Sequence, residues 1–351
     1  MSAHVVSSRS DIFPIEATRS GARASSRLAL LDGARLLAAI GIIWAHAATS
    51  EAGLLLYPIG TFGVPFYICV ALLFMTRSLT REPKLPLAQY ITSRISRVYV
   101  PFLFWTVVYV MLTQAKLIVN EHRIELPTWN VLYAGGQQHL WFLPYLMVAT
   151  VLGAILVRAL EGRTRTSRIV VAALVLAGAA ACWWQEPAWI ATRAPHGDLE
   201  FFRFGFRAIP TVCFGLALAL STCMHGRLPR TTRLMAFGGA VLLGLSLLLQ
   251  SAYSPDIKLL RSFAGFGILL IALWPAVVPA IERLGSLGRH SYGIYLSHVL
   301  FIRIVVLWIE REGIPRSIWL DLATFGFALG ASLGLSILLS KSKYTRWALG
   351  E

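Results

Sequence analysis

A chain of 351 residues that is 56% hydrophobic and only 14% charged falls well short of the roughly 25% charged residues of a soluble domain, which excludes a water-soluble globular protein. Its net charge of +15 does not point to nucleic acid: the arginines cluster between apolar segments, as in loops facing anionic lipid, and no nucleic-acid-binding motif is present. The four cysteines, Cys69, Cys182, Cys213 and Cys223, lie in or at the ends of apolar stretches without metal-ligand spacing, which argues against structural disulfides and a metal site.

Residues 1–27 are rich in Ser, Ala and Arg and lack the apolar core of a signal peptide, so they are expected to form a disordered cytoplasmic tail. A membrane-crossing helix needs about 20 apolar residues. Such stretches recur near 28–49, 58–78, 98–119, 139–160, 169–185, 203–222, 234–252, 259–281, 291–309 and 317–340. The expected fold is therefore all-α, a polytopic integral membrane protein with about ten transmembrane helices. The transmembrane domain covers 28–340 and a cytoplasmic C-terminal tail covers 341–351. Lysines and arginines number 22 on the side shared by the termini and 10 on the other, which places both termini in the cytoplasm by the positive-inside rule.

Ionisable side chains within spans are costly and are functional candidates by default. In the first span Arg35 and His46 are eleven residues apart, about three helical turns and about 16 Å. They therefore share one face, with the arginine in the cytoplasmic half and the histidine towards the outside. Arginine suits phosphate or carboxylate, and histidine can remove or return a proton near neutral pH. Snorkelling of Arg35 and plain packing of His46 are the simpler alternative.

At the cytoplasmic mouth of the third span, Arg94 and Arg97 are three residues apart. That spacing predicts one helical face gripping a polyanion, or an ordinary basic flank. His139, Trp141 and Tyr145 open the fourth span from outside and read either as an interfacial aromatic belt or as a platform for a sugar ring. Arg203 and Arg207 share a face of the sixth span, and Arg261 and Arg303 lie at similar outer depth. Together they would suit an anionic, lipid-linked acceptor, or they snorkel. His298, about 10 Å into the ninth span by helical rise, needs a partner for its ring; a satisfied core histidine is the alternative.

These motifs, in this order, resemble the membrane acyltransferase family 3, the integral-membrane O-acyltransferases that decorate bacterial surface polysaccharides. The resemblance rests on Arg35 and His46 with ten residues between them, on R-x-x-R at Arg94 and Arg97, on H-L-W-F-L at 139–143, and on S-Y-G-I-Y-L-S-H at 291–298. The second span departs from the family pattern, since Phe66-Tyr67-Ile68-Cys69-Val70-Ala71-Leu72 lacks the usual Ser-Gly pair, a close-packing device.

The resemblance implies a multi-pass protein of the bacterial inner membrane with no resident cofactor. It implies an acyl-CoA donor, acetyl-CoA by preference, bound from the cytoplasm at Arg94 and Arg97, with Arg35 deeper in. It implies a carbohydrate or glycoconjugate acceptor outside, contacted by His139, Trp141, Arg203, Arg207 and His298, and a catalytic pair, His46 as general base or covalent acyl carrier and Arg35, the arginine or a backbone donor stabilising the oxyanion. The competing reading is a transporter or flippase of a lipid-linked saccharide, although the internal repeats common in transporters are not evident.

Overall fold

The protein is described by a computed structural model over residues 18–193, 200–223, 229–253, 258–275 and 285–351. Its architecture follows from the bilayer: with no water to satisfy backbone amides, each crossing segment closes its hydrogen bonds within itself as a helix. Among the described residues there are no strands, and nine helices are long and apolar enough to cross a membrane. The chain is an all-α, multi-pass membrane protein.

Helix α1 spans Thr18–Ala47 and so begins inside the expected tail. A short helix, Glu51–Leu55, and a 3-10 turn, Tyr57–Gly60, lead into α2, Gly63–Thr80. Helix α3, Leu87–Arg94, runs through a π turn, Ile95–Tyr99, into α4, Val100–Glu121. The third crossing thus starts before the expected residue 98. A 3-10 turn at Gln138–Trp141 opens α5, Phe142–Ala159. Helices α6 (Arg165–Arg193), α7 (Glu200–Thr222) and α8 (Arg233–Tyr253) follow. Helix α9, Lys258–Ala272, has 15 residues and at about 22 Å is shorter than the hydrocarbon layer. The rest of the expected eighth span includes residues 276–284, which lie outside the described residues. Helices α10, Ser291–Glu312, and α11, Ile318–Lys341, complete the set.

Helix α2 lies at the centre, packing against α1, α5, α7 and α9. The missing Ser-Gly pair does not loosen it, because the small residues sit on its neighbours. A Cβ on Gly215 of α7 would lie 3.1 Å from the Cys69 Cα, and one on Gly265 of α9 would lie 2.8 Å from the Phe66 nitrogen. Helices α6 and α8 are largely exposed, as expected for elements whose apolar surface meets lipid.

The π turn has a cause in sequence. Pro101 lacks an N–H and cannot donate to the Arg97 carbonyl. Gly350, at φ 74°, comes so close to that carbonyl that a Cβ would collide with it. The C-terminal 3-10 turn, Arg346–Leu349, is docked there: Trp105 Nε1 donates to the Ala348 carbonyl at 3.1 Å, and Trp347 meets Phe104 edge to face. The end of the chain is therefore packed against the N-terminal part of α4.

Candidate active site

The C-terminal end of α1 is held by a buried acid. Asp321 of α11 accepts from the Thr49 and Ser50 backbone amides at 3.2 and 3.0 Å and from their hydroxyls at 2.9 and 2.5 Å. A carboxylate satisfied four times can stay buried, at 2% exposure, without the penalty of an unpaired charge. It anchors the segment that starts three residues after His46.

His46 meets two other imidazoles. Its ring centre lies 5.3 Å from that of His298 and 6.1 Å from that of His139, and the latter two are 5.1 Å apart. The three rings come from α1, α10 and the 3-10 turn ahead of α5. His139 and His298 are buried, whereas His46 remains accessible.

His298 has a defined tautomer. Its Nδ1 lies 2.7 Å from the Tyr295 carbonyl, an acceptor only, so Nδ1 carries the proton and Nε2 is left as a base. That Nε2 and both ring nitrogens of His139 are buried without hydrogen-bond partners among the described residues. Unmet polar atoms in a packed interior are costly, and here they converge on one place.

Two tyrosines brace the rings. Tyr109 packs edge to face on His139 at 5.2 Å and bridges α4 to α10, donating to the Leu296 carbonyl at 2.8 Å and accepting from the Leu300 amide at 3.2 Å. Tyr295 donates to the His139 carbonyl and packs against both buried imidazoles.

The accessible side of the cluster opens into a cavity of about 180 Å³, lined by His46, His139, Gln137, Gln138 and Arg303 with three apolar residues of α10. Arg303 donates to the Gln137 side chain at 3.3 Å. The volume is below the roughly 300–1,000 Å³ of ordinary small-molecule pockets, so it suits a reacting group rather than a whole substrate.

The other candidates lie apart from this cluster. Arg35 pairs with Asp32 at 3.3 Å, stands over the Phe74 ring at 5.7 Å, and accepts the Tyr67 hydroxyl on its carbonyl at 2.6 Å. Ala39 and Ile42, both buried, fill the α1 stripe between Arg35 and His46. Arg94 is half-buried with its guanidinium 5.1 Å over the Tyr90 ring, while Arg97 is exposed. The π turn begins directly after Arg94 and includes Arg97.

Trp141 stacks on Phe204 of α7 at 5.4 Å instead of lining the cavity. Arg207 is half-buried in the N-terminal part of α7; the side chain of Arg203 lies outside the described residues. Arg261 stands over Tyr57 at 5.7 Å. Among those of these arginines whose side chains are described, Arg303 borders the imidazoles. Tyr109, Tyr295, Gln137 and Asp321 were not singled out from sequence. Asp321 carried a signal, a lone acid in an apolar helix.

Neighbouring imidazoles with a guanidinium at the edge of their cavity have the chemistry that group transfer with proton movement requires. A family model described as an acyltransferase domain matches residues 28–341. The chain belongs to that family, acyltransferase family 3, and is a membrane acyltransferase. No curated protein and no solved structure matches it. Family membership does not favour the transporter or flippase reading.

Proposed function

We propose that the protein is an O-acyltransferase of the bacterial inner membrane, with both termini in the cytoplasm. It moves a short acyl group, acetyl by preference, from cytoplasmic acyl-CoA to a hydroxyl of an extracytoplasmic carbohydrate or glycoconjugate. The observation that carries this reading is the meeting of His46, His139 and His298, of which His46 and His139 line a cavity of about 180 Å³ edged by Arg303. Such a space accepts an acetyl thioester and one hydroxyl better than a long acyl chain.

In this reaction the acceptor oxygen attacks the thioester carbonyl carbon as its proton passes to the His46 imidazole. The carbonyl oxygen takes up the negative charge of the tetrahedral intermediate, facing the Arg303 guanidinium. Collapse breaks the carbon–sulfur bond, and the proton on His46 passes to the departing thiolate, leaving free CoA and the ester. His298 and His139 keep His46 in place and offer further proton sites. Gln137, Gln138 and Arg303 present donors to acceptor hydroxyls. Arg203, Arg207 and Trp141 belong to the outer acceptor region, farther from the chemistry.

On the inner side Arg94 and Arg97 hold the donor and Arg35 meets its pantetheine arm. Two buried atoms support a polar ligand there: Arg94 Nε and the Tyr292 hydroxyl have no hydrogen-bond partner among the described residues. The reading needs no resident cofactor, since acyl-CoA is a substrate. The test is release of free CoA from radiolabelled acetyl-CoA by the full-length protein in proteoliposomes, with bacterial glycans supplied. Acceptor-dependent release with label in ester linkage supports the proposal, and no release with any glycan contradicts it. Stable label on His46 would replace the base role with that of acyl carrier.

A further inference from the structure

A second cavity, about 600 Å³, lies at the opposite end of the bundle from the histidines, between the C-terminal ends of α2 and α5 and the start of α6. Its floor is apolar, formed by Leu79, Val157 and Leu160, all buried. Its walls carry Arg81, Lys84, Arg158, Arg163 and Arg168 against the two acids Glu82 and Glu161, an excess of three positive charges.

The charges are arranged unequally. Glu161 accepts from Lys84 and, at 3.0 Å, from Arg158, so one carboxylate binds two cations together. The hydrogen bonds hold the Glu161 carboxyl below its ordinary range and raise Lys84, and both stay charged at neutral pH. Arg158 also donates to the Leu85 carbonyl and so fixes the α2–α3 loop as one wall. Arg81, Arg163 and Arg168 have no ion-pair partner among the described residues. The Arg168 Nε is buried without a hydrogen-bond partner.

An apolar floor beneath unpaired guanidinium groups fits a flat or apolar body that bears phosphates. The volume is within the range for a nucleotide-sized ligand. The cavity is also in line with the inner mouth. Leu85 lies two residues ahead of α3, and Arg94 at the other end of that helix is about 10 Å away by helical rise.

We infer that this cavity is a site for a phosphate-bearing ligand and that its occupant is the phosphorylated adenosine end of the acyl-CoA donor, held by Arg81, Arg163 and Arg168. The inference rests on the donor proposed above. It divides the donor's recognition into a nucleotide station in this cavity and a later station at Arg94, from which the pantetheine arm leads inward. Anionic lipid headgroups carry the same phosphate chemistry, so the test separates the two sources.

The probes are adenosine 3′,5′-bisphosphate and CoA, titrated onto full-length protein in nanodiscs of zwitterionic lipid and, separately, of lipid containing cardiolipin. The wild-type protein is expected to bind both probes in zwitterionic lipid. Arg163→Glu and Arg168→Ala are each expected to weaken both by about tenfold or more, the loss of one charge-assisted contact. Arg163 is exposed on a loop, so its variant tests the site even if the Arg168 variant folds poorly. Unchanged affinity in the Arg163 variant overturns the inference. So does a cavity that retains cardiolipin but never binds adenosine 3′,5′-bisphosphate. Parallel acetyl-CoA turnover distinguishes the two failures: no turnover by the wild type removes the donor itself, whereas normal turnover with an unchanged KM in the Arg163 variant removes only this site.

Discussion

The imidazole of His46 on α1 lies 5.3 Å, centre to centre, from that of His298 on α10, so the opening and closing parts of the bundle meet at one chemical centre. The Tyr295 carbonyl holds the Nδ1 proton of His298, and its Nε2 is left basic beside His46. His298→Gln should leave the protein inserted and folded but lower kcat for acyl transfer by about 100-fold or more, with little change in KM for the donor. Equal loss of folded protein and of activity would indicate a packing role.

The Asp321 carboxylate, which accepts four hydrogen bonds from Thr49 and Ser50, sets where α1 ends and so where His46 points. Asp321→Ala strands buried donors, at about 1–3 kcal/mol for each unmet group. A clear drop in melting temperature in detergent is expected, together with reduced acyl transfer. Asp321→Asn, which keeps acceptor capacity, should lose less of both. Thermal unfolding followed by tryptophan fluorescence reads the difference.

Helix α2 depends on glycines of its neighbours. A Cβ on Gly265 would lie 2.5 Å from Pro65 Cβ and 2.8 Å from the Phe66 amide nitrogen. Gly265→Ala should therefore destabilise by about 1–3 kcal/mol through overpacking. Gly178→Ala on lipid-facing α6, where no atom lies within 4 Å, should be neutral. Comparing the folded yield of the two variants checks this.

His290, at the N-terminus of α10, is buried beside Arg289 and Ser336. Burial first, and the neighbouring Arg289 second, push its pKa below the ordinary 6.5. The folded state thus favours the neutral ring, and the unfolded chain takes up the proton first. This contribution to stability is fully present above pH 6.5 and is lost as pH falls through the lowered folded value. Melting temperature between pH 8 and 5 should fall less steeply in His290→Gln than in the wild type.

The crossings were legible because a bilayer imposes its thickness on composition, and most expected spans coincide with helices to within a few residues. Two departures have local causes. The third crossing begins at α3 because Leu87–Arg94 forms a polar helix that hydropathy does not register, and a π turn, Ile95–Tyr99, follows Arg94 and takes in Arg97. His46, His139 and His298 were each recognisable as ionisable groups at membrane depth. Their convergence was not, since α1, the turn before α5 and α10 are brought together only by tertiary packing. Arg35 was expected to act with His46; its side chain contacts Asp32 and Phe74, and Arg303, which the sequence offered only as an outer anion site, borders the histidine cavity.

The most direct measurement is acyl transfer from acetyl-CoA by full-length His46→Ala, compared with wild type at equal membrane insertion and equal melting temperature. The account predicts a rate at background while the variant still binds CoA at its inner face. Acyl transfer at the wild-type rate in that variant would contradict it.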